Sequence, residues 1–243
     1  MTYCVGMLLK EGVLLASDSR TNAGVDHIAT FRKMHFFQDG SDRCIVLVSA
    51  GNLATTQSVI SILQKQVLHQ DENILSLHSL YDVATLVGKT IREVIKRDAG
   101  QQAQGATIDF GCSFIVGGEI RGEHPRLFTI YPQGNFIEAT KDTPYFQIGE
   151  SKYGKPIIDR VIGWETSLTQ AIKCALISFD STIRSNISVG PPIDVYFHRT
   201  GDFSIREPYS LTEQHPYLLQ LRDAWATGLR SLFSSLPEID IEH

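Results

Sequence analysis

Thr2 follows Met1, and removal of Met1, which a small second residue permits, leaves a hydroxyl and a free α-amine on one residue. Such a pair is a nucleophile with a built-in base: the amine takes the hydroxyl proton as the oxygen attacks a carbonyl. The amine must be neutral to do this, and a reference pKa of about 7.7–8.0 leaves only a minor neutral fraction at pH 7. A neighbouring cation lowers that pKa. Lys33 is the candidate cation, if the strand that carries it lies beside the first strand, and Asp18 is the acid that would keep Lys33 charged. Gly51 stands where a strand runs into a helix, so its backbone N–H can face an oxyanion. Singly, these are an ordinary first residue, a strand-end acid, a solvated lysine and a turn glycine. Their arrangement is what points to hydrolysis of an amide through an acyl ester. Because strand residues two apart share a face, Phe31 falls on the side of Lys33 and Ser49 on the side of Gly51, as candidates for substrate binding.

The elements that would position these residues are legible from period and turn signals. Tyr3 to Leu9 and Val13 to Asp18 are apolar runs joined by Lys10-Glu11-Gly12, a hairpin. Lys33 to Phe37 and Cys44 to Ala50 form a second pair, which predicts a four-stranded antiparallel start. Gly51-Asn52 then offers a cap for a helix with apolar residues at Leu53, Ile60, Leu63 and Val67. Leu80, Val83, Ala84, Val87, Ile91, Val94 and Ile95 follow Ser79 at helical spacing, with Asp82 three residues on, and predict a capped amphipathic helix ending near Gly100. Strand signals return at Cys112 to Val116, Arg126 to Tyr131 and Asn135 to Ala139. A short helix around Pro156 to Val161 and a longer one from Leu168 to Ile183 follow, then strands at Ile193 to His198 and Phe203 to Arg206. Gly117-Gly118 and the segment from Gly149 to Gly154 read as turns. Leu218, Leu221, Trp225, Leu229 and Leu232 mark a C-terminal helix. Blocks of strands alternating with pairs of helices do not suit a parallel βαβ sheet. They suit an α+β fold, a four-layer αββα sandwich of two antiparallel sheets, with residues 1–243 as one domain and a helical extension at about 211–243.

Composition narrows the function. The chain has 243 residues, 42% of them apolar, with 22 basic and 27 acidic side chains and a formal net charge of -5. There is no basic cluster to track a phosphate backbone, so no nucleic-acid partner is expected. The longest uncharged window, Cys44 to Gln64, is rich in Ser, Thr, Asn and Gln, so no membrane span is expected, and with the first basic residue at Lys10 there is no signal-peptide pattern. A cytoplasmic location is the expectation. Cys4, Cys44, Cys112 and Cys174 stand far apart and the eight histidines are scattered, so neither a disulfide framework nor a metal site is indicated and no cofactor is expected.

Thr2 at the start of a strand, Leu14-Leu15-Ala16-Ser17-Asp18-Ser19-Arg20, Lys33, and Ser49-Ala50-Gly51-Asn52-Leu53-Ala54 together resemble the proteasome β-subunit family of N-terminal nucleophile hydrolases, most of all its bacterial ancestral β-subunit (Anbu) branch, whose members begin with Thr-Tyr and carry a longer C-terminal region. The resemblance implies the αββα fold and a threonine peptidase acting on peptides or unfolded protein. It also implies a homo-oligomer of rings or a ring-like spiral. Carried over, Thr2 matches the nucleophile, Asp18 the acid, Lys33 the lysine and Gly51 the oxyanion donor. Ser151, in Gly149-Glu150-Ser151, and Ser188, in Ser185-Asn186-Ile187-Ser188-Val189-Gly190, match the family's accessory serines, with Ser185 standing where the family has Asp. A catalytically silent scaffold subunit and an amidase acting on small amides are the alternatives.

Overall fold

The structure is a computed structural model that describes residues 2–22, 28–100 and 108–239. It opens with the hairpin of β1 (Tyr3–Leu9) and β2 (Gly12–Asp18), whose residues are all buried. That is why both read as continuous apolar runs with no polar alternation. Tyr3, Val5 and Met7 face one way, toward Ile158, Ala175 and Phe179, while Cys4 and Leu8 face the other. A small ribbon, β3 (Arg20–Asn22) and β4 (Ile28–Thr30), precedes β5 (Met34–Gln38) and β6 (Arg43–Gly51). Then come α1 (Leu53–His69), α2 (Leu80–Ala99), β7 (Cys112–Ile120), β8 (Arg126–Ile130), β9 (Phe136–Glu138) and β10 (Tyr145–Gly149). The chain continues through α3 (Lys155–Val161), α4 (Leu168–Ser185), β11 (Ile193–Arg199), β12 (Tyr209–Leu211) and α5 (Pro216–Ser234).

One antiparallel sheet runs β10-β1-β2-β11-β12 and the other β5-β6-β7-β8-β9. A layer of Val13, Leu15, Val46, Val48, Ile115 and Leu127 lies between them. The outer face of the second sheet is covered by α1 and α2, and that of the first by α3 and α4, which gives the αββα sandwich. In α2 the face formed by Leu80, Val83, Val87 and Ile91 is fully buried. At roughly 1.5–3 kcal/mol for each large apolar side chain, this burial outweighs intrinsic propensity in holding the helix. The helix starts as the capping signal predicts, with Ser79 Oγ accepting from Asp82 N at 3.1 Å.

Four expectations need correction. The first four strands are not one sheet: β1–β2 and β5–β6 belong to opposite sheets and meet face to face across the inner layer, because each pair has an apolar face to bury there. Phe203 to Arg206 is not a strand. Asp202 holds Ser204 Oγ at 2.6 Å and an Arg206 nitrogen at 2.7 Å, and this local bonding replaces a ladder; the strand that pairs with β11 on the side away from β2 is Tyr209–Leu211. Gly117-Gly118 lies inside β7, not in a turn; the turn expected at Gly149 to Gly154 is present over residues 152–154, with Gly149 itself ending β10, which pairs with β1. Lys33 lies just before β5, outside any strand. The ribbon β3–β4 had no period signal at three residues per strand.

Candidate active site

The ends of both sheets meet around Thr2. On one side β1 begins, and the carbonyl of Thr2 accepts from Glu150 N at 2.7 Å. Gly149, at φ +80°, makes this possible: a Cβ there would lie 1.9 Å from the Thr2 oxygen. On the other side β6 ends at Gly51 and α1 begins, capped by Asn52, whose side chain accepts from Thr55 N at 3.2 Å. Gly51 has φ +108°, and a Cβ would lie 2.5 Å from Gly111 O, so the backbone alone requires glycine here. Ser49 N donates to Lys33 O at 3.1 Å, toward the β5 side, whereas Asn52 N donates to Gly111 O at 2.9 Å, toward the β7 side. Alternation along the strand therefore turns the Gly51 N–H to the β5 side, past the first residue of β5 and into the cavity.

Lys33 reaches across from the second sheet. Its Nζ stands 2.7 Å from Asp18 Oδ1 and 2.6 Å from Arg20 O, with the side chains of Lys33 and Asp18 5% and 0% exposed. An ammonium has three N–H donors, so one remains uncommitted among the described residues. Asp18 also accepts from Tyr3 N at 3.1 Å and Gly190 N at 3.2 Å, so all its bonds are made by donors. Burial pushes its carboxyl above the ordinary carboxylate range, against the pull of Lys33 and these two amides. Cys4, beside the pair, is a buried thiol raised by desolvation, and donates weakly to Ser49 O at 3.5 Å.

These groups share one cavity of about 550 Å³, lined by Thr2, Lys33, Ser49 and Gly51 of the expected residues. Asp18 lies behind Lys33. Phe31 does not line the cavity: residues 31–33 are not strand, so the two-residue period fails, and Arg32 occupies the wall where Phe31 was expected. Ser151 and Ser188 are not in the wall either. Ser151 O accepts from Lys155 N at 3.0 Å at the start of α3, and Ser188 N donates to Asn186 Oδ1 at 3.0 Å. Their two loops are braced together by Asn186 Nδ2 donating to the buried Glu150 Oε2 at 2.9 Å, and each braces the site, through Glu150 N to Thr2 and Gly190 N to Asp18. Sequence reasoning missed Thr21, Arg32, His35, Leu53, Thr56 and Gln57, which also line the cavity. His35 was findable, two residues beyond Lys33, and Leu53, Thr56 and Gln57 follow the helical spacing of α1. Burial lowers His35 to about 4, so it is neutral near pH 7. Among the described residues, no group of His, Cys, Asp and Glu is placed to hold a metal, and no helix is long and apolar enough to cross a membrane.

The family model described as "Proteasome subunit" matches residues 2–197. The chain belongs to the proteasome subunit family. It is also 57% identical to Anbu (ancestral β-subunit) from Yersinia bercovieri, covering 99% of this chain and 100% of that one at a TM-score of 0.93. It is 51% identical to the Anbu complex from Pseudomonas aeruginosa, solved as a helical assembly, covering 98% of each at a TM-score of 0.94. Within the proteasome family it thus falls in the Anbu branch. A more distant similarity, to proteasome subunit alpha 1 of Haloarcula marismortui, is 31% identical over 137 residues, 56% of this chain and 48% of that one, so the chain spans about half that relative's length. Helix α5 lies beyond the residues that the proteasome model matches.

Proposed function

We propose that this chain is an N-terminal threonine peptidase, made competent by removal of Met1. The observation that carries the reading is the buried Lys33–Asp18 pair in a cavity shared with Thr2 and Gly51. Burying a lysine this deep, with one N–H uncommitted among the described residues, is costly, and charges held at such cost cluster at functional sites. The Thr2 Oγ attacks a peptide carbonyl carbon while its proton passes to the Thr2 amine, directly or through water. The carbonyl becomes a tetrahedral oxyanion facing the Gly51 N–H, a contact whose loss typically slows such reactions by roughly 10²–10³. The C–N bond then breaks, the departing amine takes the proton from the Thr2 ammonium, and an acyl ester remains. Water, deprotonated by the same amine, attacks that ester and releases a carboxylic acid and Thr2. Lys33 holds positive charge beside the amine, favouring its neutral form, and Asp18 holds Lys33. Ser151 and Ser188 act through their loops, by positioning Glu150, Gly190 and Asp18.

The peptidase works as a homo-oligomer in the cytoplasm. Two observations support self-association. Helix α5 is pinned to α4 by Arg222 Nε and Asp180 Oδ1 at 2.8 Å, yet leaves Leu229, Leu232 and Phe233 exposed, and the Pseudomonas aeruginosa relative forms a helical assembly. The likeness to an α-subunit favours a second reading, a silent scaffold, and one experiment separates them. The peptidase reading expects an intact mass lacking one methionine and covalent labelling by a β-lactone or epoxyketone, abolished in Thr2→Ala. Retained methionine with no labelling overturns it in favour of the scaffold.

A further inference from the structure

We propose that the Thr2 cavity selects ligands with an acidic side chain next to the reacting carbonyl, and that Arg32 makes the selection; as a substrate preference, this rests on the peptidase reading above. Two cationic side chains line the cavity, Arg32 and Lys33, and none of its described lining residues is acidic. Lys33 is paired with Asp18 at 2.7 Å, so its charge is felt by a group against its Nζ, such as the Thr2 amine, but is largely cancelled farther into the cavity. Arg32 is left as the net charge among the described lining residues. It is exposed, and it makes no hydrogen bond or ion pair among the described residues. Arg32 and Arg92 are the arginines of which this is true, the others being bonded to carboxylates, carbonyls or hydroxyls, and of the two only Arg32 lines this cavity.

A guanidinium lining the same cavity as Thr2, without a partner among the described residues, offers a fork of donors that matches a carboxylate in two-point fashion. The start of α1 adds to it. Leu53, Thr56 and Gln57, from the N-terminal end of the 17-residue helix α1, line the cavity, so the positive end of that helix lies at its wall. Among the described residues, an acidic side chain entering this space meets two sources of positive potential and no carboxylate in the wall, whereas a basic one meets repulsion. Leu53 and Ala50 add apolar surface to the same wall, against which the methylene stem of such a side chain can pack.

Binding is measured with the full chain carrying Thr2→Ala, which cannot form an ester, by fluorescence anisotropy of dye-labelled peptides that differ at one residue, Glu, Leu or Lys. The Glu peptide should bind about tenfold more tightly than the Leu peptide at low salt, a difference of about 1.4 kcal/mol, with the margin shrinking as salt rises. Adding Arg32→Glu should reverse the order of the Glu and Lys peptides, and Arg32→Lys should keep it. Equal binding, no measurable binding of any of the three, or a Glu preference that survives Arg32→Glu overturns the proposal. Cleavage by the unaltered protein is scored apart. Acidic peptides that bind but are never cut count against the Thr2 chemistry alone, and cleavage without acidic preference counts against Arg32 alone.

Discussion

Removing the ammonium at position 33 should cost the protein stability in a way that depends on pH. Lys33→Met keeps the length of the side chain and leaves Asp18, which is 0% exposed, with only the amides of Tyr3 and Gly190 as donors. Breaking a buried pair from one side typically costs 3–5 kcal/mol, so about 3 kcal/mol is expected at pH 7, two amides still being in place. Without Lys33 the carboxyl is pushed further above its unfolded value of about 3.9. The folded state then holds its proton more tightly than the unfolded chain does, so the penalty is full above the folded pKa and fades as pH falls toward about 4. Asp18→Asn combined with Lys33→Met removes both charges and should recover part of the loss, while leaving labelling at Thr2 absent. Urea unfolding at fixed protein concentration, for the two single variants and the double at pH 7 and pH 5, gives the coupling directly. Single-variant losses under about 1 kcal/mol that add independently, with no pH dependence, would refute the claim that a charged pair sits in this core.

Gly149→Ala places a Cβ 1.9 Å from Thr2 O in a residue at φ +80°, so Thr2 must shift; a stability loss of about 1–3 kcal/mol and loss of Thr2 labelling should appear together in thermal melts and in labelling by mass spectrometry. His35 is lowered to about 4 by burial, below its unfolded value of about 6.5, so its contribution is complete above pH 6.5 and is lost between pH 6.5 and 4, by about 2 kcal/mol given its partial exposure. Unfolding at several pH values should show a shallower acid limb in His35→Gln, and an unchanged limb would sink this assignment.

Much of the fold was legible because burial leaves period signals. The doubly buried β1 and β2 read as unbroken apolar runs, and α2 as a capped amphipathic helix. The three-residue strands of the β3–β4 ribbon are too short to carry a period. The strand β10 went unread, and Gly149 at its end, read as a turn residue, has a positive φ that makes room for Thr2. In the site, Thr2, Asp18, Lys33 and Gly51 are each ordinary taken singly, and were findable only as an arrangement along the first strands. Arg32 was hidden by a period argument applied to residues 31–33, which are not strand.

By itself the chain determined which segments are strands and helices in layered order, and which side chains have the chemistry for acyl transfer, since both are properties of residue type and local spacing. Only the tertiary structure decided which sheet each strand joined, that Lys33 meets Asp18 from the opposite sheet, and that Arg32 rather than Phe31 faces the cavity. Those outcomes depend on how two apolar faces close over one inner layer, and that packing is shared among residues far apart in sequence, so no local pattern records it.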